Sequence, residues 1–333
     1  MEEMESAAGG VGLFLYTPTV DGRKEYILNR MLKAFQSAGI EVFCLDISST
    51  DAFEKLGQID QYFLSVPFDR KHFVFSMDAD GFGLTLKMDG LWVDNIQYNV
   101  FTYLTRHPRF FQEELDGINS WYISVLNSCR GGVAYIEEQY PHLDGIEYML
   151  FPAFLGQNSE LSFFEKEDEV LFVADNESNT GVQECIKRLV ERKLPVTLYG
   201  RDWDSIVAEY DGLVQSVPEA VQSYERKLDL MGKKKVVLFW HKNYEAADID
   251  SISAMANGAL VVTEKILELS EVFSDGQEVV FFERLQKEKL PDQLEKLWKE
   301  PTVMESIAVT GRDKARQLGD VSSFVSKILD RCK

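Results

Sequence analysis

The sequence predicts an α/β protein of two domains, because short apolar strands alternate with amphipathic helices in two successive series. The first series begins near residue 11 and the second near residue 169. A polar, irregular stretch between them interrupts the alternation. The 333 residues correspond to about two domains of ordinary size, so each series can enclose a core of its own.

The first series opens with a strand, a helix and a second strand. Residues 11–16 form a continuous apolar run, which is typical of a strand buried on both faces. Gly39 follows the helix, where a helix C-terminus favours glycine. Residues 41–45 predict the next strand and complete a unit with the size of a parallel crossover. The helix places five apolar residues on one face: Ile27, Met31, Ala34, Phe35 and Ala38.

The first domain is predicted to span residues 11–155. Apolar runs predict three further strands, at residues 73–77, 122–126 and 147–151. A short helix is predicted at residues 133–139. Residues 1–10 are acidic and then small, so we expect a flexible tail there. Residues 156–168 are polar and irregular, and they are predicted as the linker.

The second domain is predicted to span residues 169–315. Its strands are predicted at residues 169–174, 195–199, 235–239, 259–263 and 279–282. Its helices, with those that follow, are predicted at residues 180–193, 249–256, 290–299, 302–317 and 322–331. We expect a C-terminal helix within residues 316–333 that packs back on the first domain. The repeated order predicts two Rossmann-like domains that face each other across a cleft.

The composition argues against several partners. Lys and Arg number 35 and Asp and Glu number 55, so the net charge is −20, which repels nucleic acid and anionic membranes. The four cysteines are scattered, which disfavours a disulfide framework or a zinc site. Neither a leader nor an apolar run of membrane-spanning length is evident, so we expect a cytoplasmic protein.

Two Asp-x-Asp pairs lie near predicted strand or helix ends, where open parallel sheets bind ligands. Asp78 and Asp80 follow the predicted strand at 73–77, and Asp248 and Asp250 lie at the start of a predicted helix. Such a pair can hold a divalent cation that bridges a diphosphate. The alternatives are a polar loop for the first pair and a helix cap for the second.

A basic segment in the first domain contains a candidate catalytic histidine. Residues 106–111 (RHPRFF) combine two arginines with His107 in an otherwise acidic chain. Histidine can act as a general base near neutral pH, or it can orient a hydroxyl by hydrogen bonding. The alternative is a surface loop fixed by Pro108.

Two loops of the second domain are candidate ligand loops. Tyr199, Gly200, Arg201 and Trp203 follow a predicted strand; glycine allows close approach of a ligand, and arginine pairs with a diphosphate. A turn with an exposed arginine is the alternative. Residues 240–245 (WHKNYE) follow another predicted strand and suit a base and a sugar, with ordinary loop packing as the alternative.

The second half resembles a known family. Residues 249–282 resemble the C-terminal core of group 1 glycosyltransferases, and they are most similar to its CgeB-like branch. The resemblance rests on Ala-Met-Ala-x-Gly at 254–258, an apolar strand with a Thr-acidic step, and a spaced set of residues: Glu271, Phe273, Gly276, Glu278, Val280 and Phe282. Residues 199–203 and 301–312 resemble further segments of that branch, and residues 106–111, 134–141 and 150–154 resemble its N-terminal domain.

This resemblance implies a GT-B fold that transfers a sugar without a metal or another cofactor. The nucleotide-sugar donor is expected on the C-terminal domain and the acceptor on the N-terminal one. Arg/Lys side chains and helix N-termini would neutralise the diphosphate. The expected catalytic residues are His107 and Arg201. The expected donor-binding residues are Tyr199, Gly200, Trp203, His241, Lys242, Glu245, Ser253 and Glu264.

The chain departs from this family at three positions. Many members carry two glutamates eight residues apart, whereas this chain has Glu245 and Ser253. An arginine common in the family is Asp250 here, and an acidic residue before His-Pro is Arg106. A serine hydroxyl cannot accept two ribose hydroxyls as a carboxylate does, so Glu264 is the candidate replacement.

The predicted function is a glycosyltransferase that acts on a cytoplasmic acceptor, either a protein or a glycan precursor. The first alternative is a degenerate homologue that serves as a binding or partner subunit. The expected assemblies are an oligomer of this chain or a complex with a partner glycosyltransferase. The second alternative is another two-domain Rossmann enzyme, such as a sugar epimerase.

Overall fold

The computed structural model describes residues 9–86, 90–92, 98–118, 123–143, 145–174, 180–210, 212–218, 222–240 and 249–332. Contacts between Cα atoms divide the chain into two compact units. Unit 1 comprises Met1–Phe151 with Val321–Lys333, and unit 2 comprises Pro152–Asp320. The observed division therefore falls after Phe151, whereas the sequence placed the first domain's end at residue 155.

Unit 1 is built on a six-stranded parallel sheet. In chain order its strands are β1 (Gly10–Tyr16), β2 (Ile40–Asp46), β3 (Lys71–Met77), β6 (Asn99–Leu104), β7 (Ile123–Asn127) and β8 (Gly145–Tyr148). The spatial order is β2-β1-β3-β6-β7-β8. A small antiparallel pair, β4 (Thr85–Leu86) with β5 (Gly90–Leu91), lies outside this sheet.

The helices of unit 1 flank its sheet. They are α1 (Arg23–Ser37), α2 (Ala52–Ser65), α3 (Gln112–Asp116), α4 (Arg130–Gln139) and α12 (Val321–Leu329). Strand β1 is almost wholly buried, and Phe14 packs edge-on against Phe35 of α1 at a centroid distance of 5.4 Å. Helix α12, at the end of the chain, also belongs to this unit. The ring centroids of its Phe324 and of Phe151 lie 4.8 Å apart.

Unit 2 repeats the design with a second six-stranded parallel sheet. Its strands are β9 (Glu167–Val173), β10 (Val196–Tyr199), β11 (Val214–Ser216), β12 (Lys234–Phe239), β13 (Leu260–Glu264) and β14 (Val280–Phe282). Their spatial order is β11-β10-β9-β12-β13-β14, the order of a dinucleotide-binding Rossmann sheet. The prediction of two Rossmann-like α/β domains is therefore confirmed.

The helices of unit 2 cover both faces of its sheet. They are α5 (Thr180–Glu191), α6 (Asp204–Glu209), α7 (Tyr224–Lys233), α8 (Ile249–Ala256), α9 (Leu267–Ser270), α10 (Leu290–Trp298) and α11 (Pro301–Gln317). The core side of β9, β12 and β13 is formed by valine, leucine and phenylalanine residues, because strands covered on both faces must exclude water. Among the described residues of both units, no helix is sufficiently long and apolar to cross a bilayer.

Candidate functional site

The strand order of unit 2 reverses direction between β9 and β12, which identifies the position where such sheets bind ligands. Trp240 directly follows β12 at this reversal. Its ring stacks on Phe172 of β9 at 6.0 Å and lies 5.9 Å from Phe282 at the end of β14. The indole thus occupies the carboxyl edge of the sheet and is 8% exposed.

An ion pair between a buried carboxylate and a partly exposed lysine lies beside Trp240. Glu264 ends β13 and is 1% exposed, and Lys287 Nζ lies 2.6 Å from its Oε1. The same Nζ lies 4.0 Å from the centroid of the Trp240 ring, within cation–π distance. Neither carboxylate oxygen has a hydrogen bond of good geometry among the described residues. A charged, incompletely hydrogen-bonded carboxylate is costly to bury, which is typical of functional sites rather than of packing.

Of the two glutamates proposed for the donor, only Glu264 can be placed. Residues His241, Lys242 and Glu245 lie outside the described residues, as does Asp248. Lys287, by contrast, was missed by sequence reasoning. In the sequence, only its position shortly after the last predicted strand of the second domain indicated a site residue. Its ion pair with Glu264 of β13 forms only in the folded protein.

The loop after β10 divides into interior and surface residues. The Tyr199 hydroxyl donates to the backbone oxygen of Ser223 at 2.8 Å, and Trp203 Nε1 donates to the backbone oxygen of Ala174 at 3.1 Å. Both side chains are buried, at 5% and 3% exposure. Gly200 has a φ of +141°, which only glycine adopts readily. Arg201 follows it with an exposed side chain. Of these four residues, Arg201 offers its side chain to solvent.

Ser253 faces the interior of unit 2. It is completely buried on α8, and its Oγ accepts a hydrogen bond from the backbone N–H of Phe154 at 3.0 Å. Asp250, one turn earlier, forms a buried ion pair with Lys227 of α7 at 2.8 Å. Two of the three positions at which the chain departs from the group 1 pattern, Ser253 and Asp250, therefore hold contacts within unit 2.

In unit 1, His107 caps the 3₁₀ turn Pro108–Phe111 after β6. Its Nδ1 accepts a hydrogen bond from the backbone N–H of Arg109 at 3.2 Å, and its ring packs edge-on against Tyr135 of α4 at 5.2 Å. Because Nδ1 accepts, the neutral ring carries its proton on Nε2. This tautomer makes Nε2 a hydrogen-bond donor, which favours an orienting role over that of a general base.

The first Asp-x-Asp pair is engaged by a lysine. Lys24 Nζ lies 2.7 Å from Asp80 Oδ2 and 3.8 Å from Asp78 Oδ2. Asp80 also accepts the backbone N–H of Thr17, and Asp78 accepts both the N–H and the hydroxyl of Thr105. Asp80 Oδ2 and Asp78 Oδ1 therefore accept hydrogen bonds from nearby loop residues, as expected for the alternative of a polar loop. Within the described ranges, no group of three or more His, Cys, Asp or Glu is arranged to hold a metal ion.

A family model and several solved structures are similar to this chain. Residues 181–330 match the family model described as "Glycosyl transferase-like". HepE of Anabaena, whose structure contains UDP and glucose, superposes with a TM-score of 0.66 at 13% identity, covering 96% of this chain and 98% of HepE. The chain has the GT-B fold.

Other solved GT-B structures are similarly distant in sequence. Sucrose-phosphate synthase of Thermosynechococcus elongatus gives a TM-score of 0.65 at 12% identity, covering 97% of this chain and 98% of the synthase. TarM gives 0.56 at 12% identity, covering 78% of this chain, and the match spans 54% of TarM, so the chain matches about half of that protein's length. No curated protein sequence is significantly similar to the chain.

Proposed function

We propose that the chain is a glycosyltransferase that moves a sugar from a nucleotide-sugar donor to an acceptor, with the donor held by unit 2. The observation that carries this proposal is the pair of the buried Glu264 with Lys287 beside Trp240, at the strand reversal of the sheet of unit 2. The family match over residues 181–330 supports the same unit as the donor domain.

The three side chains supply the interactions that a nucleotide-sugar requires. The two oxygens of Glu264 can accept hydrogen bonds from two adjacent hydroxyls of a ribose or a sugar. The ammonium of Lys287 can stabilise the phosphate charge that grows on the leaving diphosphate. Arg201, exposed on the loop after β10, is the second cation proposed for that charge.

The acceptor is proposed to bind unit 1, where His107 Nε2 would orient its nucleophilic hydroxyl by donating a hydrogen bond. Transfer then breaks the bond between the sugar and the diphosphate and forms a bond to the acceptor oxygen, whose proton leaves to solvent or to a base. We propose an acceptor in the cytoplasm, a protein or a glycan precursor. All four cysteines, which lie in described ranges, are thiols, as is usual in reducing compartments.

We also propose that transfer needs no divalent cation. Lys24 and the backbone N–H of Thr17 contact Asp80 Oδ2, and the backbone N–H of Thr105 contacts Asp78 Oδ1, so cationic side chains are assigned the diphosphate instead. Turnover should therefore be equal in EDTA and in magnesium. A turnover that falls at least tenfold in EDTA and returns with magnesium would contradict this part of the proposal.

Calorimetric titration of the full chain with UDP-glucose, UDP-N-acetylglucosamine, GDP-mannose and dTDP-glucose tests the donor site. At least one donor should bind, and Glu264→Gln and Lys287→Gln should each weaken it about tenfold or more, since each removes a charge-assisted contact. The matched control is Lys265→Gln, because Lys265 is exposed, adjacent to Glu264 in sequence and paired only with the exposed Glu283 among described residues. Failure of all four donors to bind, or equal binding by all three variants, would refute the donor site.

A second candidate function is a binding or partner subunit that holds a donor without transferring its sugar. Ser253 favours this candidate, because it is buried against Phe154 where many family members have a glutamate. The distinguishing result would be donor binding that depends on Glu264 together with no release of nucleoside diphosphate over a panel of acceptors.

A further inference from the structure

A cavity of about 410 Å³ lies on unit 2, between helix α11 and the loop of residues 274–279 that leads into β14. Because this loop precedes the strand, it lies at the amino end of β14. Glu264 and Phe282, by contrast, pair in register at the carboxyl ends of β13 and β14. The cavity is therefore separate from the proposed donor site, and its volume is in the range of small-molecule sites.

Helix α11 contributes two parallel rows of side chains to this cavity. Thr302, Ser306 and Thr310 recur every four residues, which spaces their hydroxyls by about 6 Å along the helix axis. Val303 and Ile307, spaced in the same way, form an aliphatic row beside them. Thr310 donates its hydroxyl to the backbone oxygen of Ser306 at 2.8 Å. Within the described part of the chain, the hydroxyls of Thr302 and Ser306 have no hydrogen-bond partner.

The loop that forms the other wall is held in place by its own acidic side chains. Asp275 Oδ1 accepts the backbone N–H of Phe281 at 2.9 Å, and Glu278 Oε2 accepts the backbone N–H of Ser274 at 2.7 Å. The loop also lies close against α11, because an added Cβ at Gly311 would clash with the backbone oxygen of Glu278. The cavity is therefore formed before any ligand binds.

Gly276 and Gln277 are the residues of this loop that line the cavity. Gly276 has a φ of +69°, and an added Cβ there would meet no atom within 4 Å, so a ligand can approach the backbone. The exposed amide of Gln277 can both donate and accept hydrogen bonds. The loop thus adds a neutral polar group opposite the hydroxyl row of α11.

The wall of the cavity is electrically neutral. None of the described residues that line it carries a charge, although 27% of the chain's residues are charged. A phosphate or carboxylate bound there would lose hydration without gaining a counter-charge. Glu300 and Glu305, near the start of α11, would repel such a group further. These features favour a neutral ligand over a nucleotide or a sugar phosphate.

We propose that this cavity is an accessory binding site for a neutral saccharide. A pyranose ring has hydroxyl groups along its edge and C–H groups on its faces. The edge fits the hydroxyls of Thr302 and Ser306 and the amide of Gln277, because these groups, like sugar hydroxyls, both donate and accept. The C–H groups fit the aliphatic row of α11. The site is independent of the proposed function, since it shares no residue with the donor site.

The test is an NMR titration of the full chain with glucose, galactose, N-acetylglucosamine and maltose. The amide resonance of Gly276 should shift and saturate with at least one of these sugars, and glucose 6-phosphate should shift it less. Gln277→Ala should weaken the binding about threefold to tenfold, as the loss of a neutral hydrogen bond does. The matched control is Gln317→Ala, at an exposed glutamine of the same unit that lies outside the cavity.

A second variant, Ser306→Leu, should abolish saccharide binding by filling the cavity. Ser306 is exposed on a helix, where leucine is well tolerated, so this variant should fold. Donor titration of the same variant separates the two sites. It should bind the nucleotide-sugar as the wild type does, and loss of both ligands would contradict the independence of the cavity.

Three further outcomes would overturn the proposal. All four sugars could leave the Gly276 amide unchanged, Gln277→Ala and Ser306→Leu could bind sugar like Gln317→Ala, or glucose 6-phosphate could shift the amide more than every neutral sugar. Saccharide binding at the cavity without any donor binding would leave this site valid and refute the transferase.

Discussion

Lys166 Nζ donates a hydrogen bond to the backbone oxygen of Asn257 at 2.9 Å, and it also donates to the backbone oxygen of Gly232. These oxygens lie at the C-terminal ends of α8 and α7, so one buried ammonium caps two helices. Burial, together with the guanidinium charges of Arg312 and Arg316, lowers the pKa of Lys166 to about 8. Keeping the Lys166 ammonium charged in the folded protein therefore costs free energy.

The first prediction is a stability that rises with pH through Lys166. Its folded pKa, about 8, lies below its ordinary value of 10.5, so the unfolded chain binds more protons between these values. Raising the pH from 7.5 to 9.5 should therefore stabilise the wild type relative to Lys166→Met by about 2 kcal/mol. Urea denaturation at both pH values measures this. The control Lys299→Met, at an exposed lysine of unit 2, should show the same change of unfolding free energy with pH as the wild type. If Lys166→Met also showed that change, this account would be wrong.

The second prediction concerns Ser253. Ser253→Ala removes the acceptor of the buried Phe154 N–H and should lower the free energy of unfolding by about 1–2 kcal/mol. Ser253→Glu adds volume and charge at a site with no exposure, and it should cost about 3 kcal/mol or more. Thermal denaturation of both variants checks the order. A Ser253→Glu protein as stable as the wild type, with tighter donor binding, would show that this position is open to a ligand after all.

The third prediction is coupling between Glu264 and Lys287. Lys287→Met leaves a carboxylate of 1% exposure without its counter-charge, and unfolding should become easier by about 2 kcal/mol. Adding Glu264→Gln removes that charge and should recover part of the loss. A double-mutant cycle in urea measures the coupling. Strictly additive effects would mean that the pair does not interact in solution.

The fourth prediction concerns Asp80. Burial raises the pKa of Asp80, while the hydrogen bond and charge of Lys24 lower it. Lys24→Met removes that opposing contribution, so the carboxylate should become costlier near neutral pH, by about 1–3 kcal/mol. Asp80→Asn in the Lys24→Met background should recover stability, and acid conditions should shrink the defect because the carboxyl then protonates. Denaturation at pH 7.5 and pH 5 tests both; a defect that is equal at the two values would exclude this cause.

Much of the fold could be predicted from periodicity, and two of the omitted elements have weak local patterns. The predicted strand at 11–16 and helix at 249–256 coincide closely with β1 and α8, because continuous apolar runs and helical spacing are local signals. Helix α2 and strand β6 were not predicted. Phe53 and Leu64 of α2 are exposed, which weakens its apolar spacing, and β6 mixes Asn99 and Thr102 into a buried strand. Thr102 is tolerated there because its hydroxyl accepts from Ser76 and Ala79.

The candidate site was less predictable than the fold. Sequence reasoning selected Glu264 as a replacement carboxylate, and its place at the end of β13 beside Trp240 and Lys287 makes it the strongest described candidate. It also selected Tyr199, Trp203 and Ser253, which stay proposals but whose side chains turn into unit 2. Position after a strand predicts which edge of a sheet a residue joins. Whether its side chain points to solvent or to the core depends on neighbours distant in the sequence.

The amino-acid order alone determined the alternation of strands and helices, the duplication of that alternation and the resemblance to group 1 glycosyltransferases, because these depend on near neighbours along the chain. Tertiary structure alone decided that Lys287 reaches Glu264, that Lys24 engages Asp80 and that Asn127 joins the loops after β6 and β7. Each of these contacts joins residues at least twenty positions apart, and only the packing of parallel strands brings such residues within hydrogen-bonding distance.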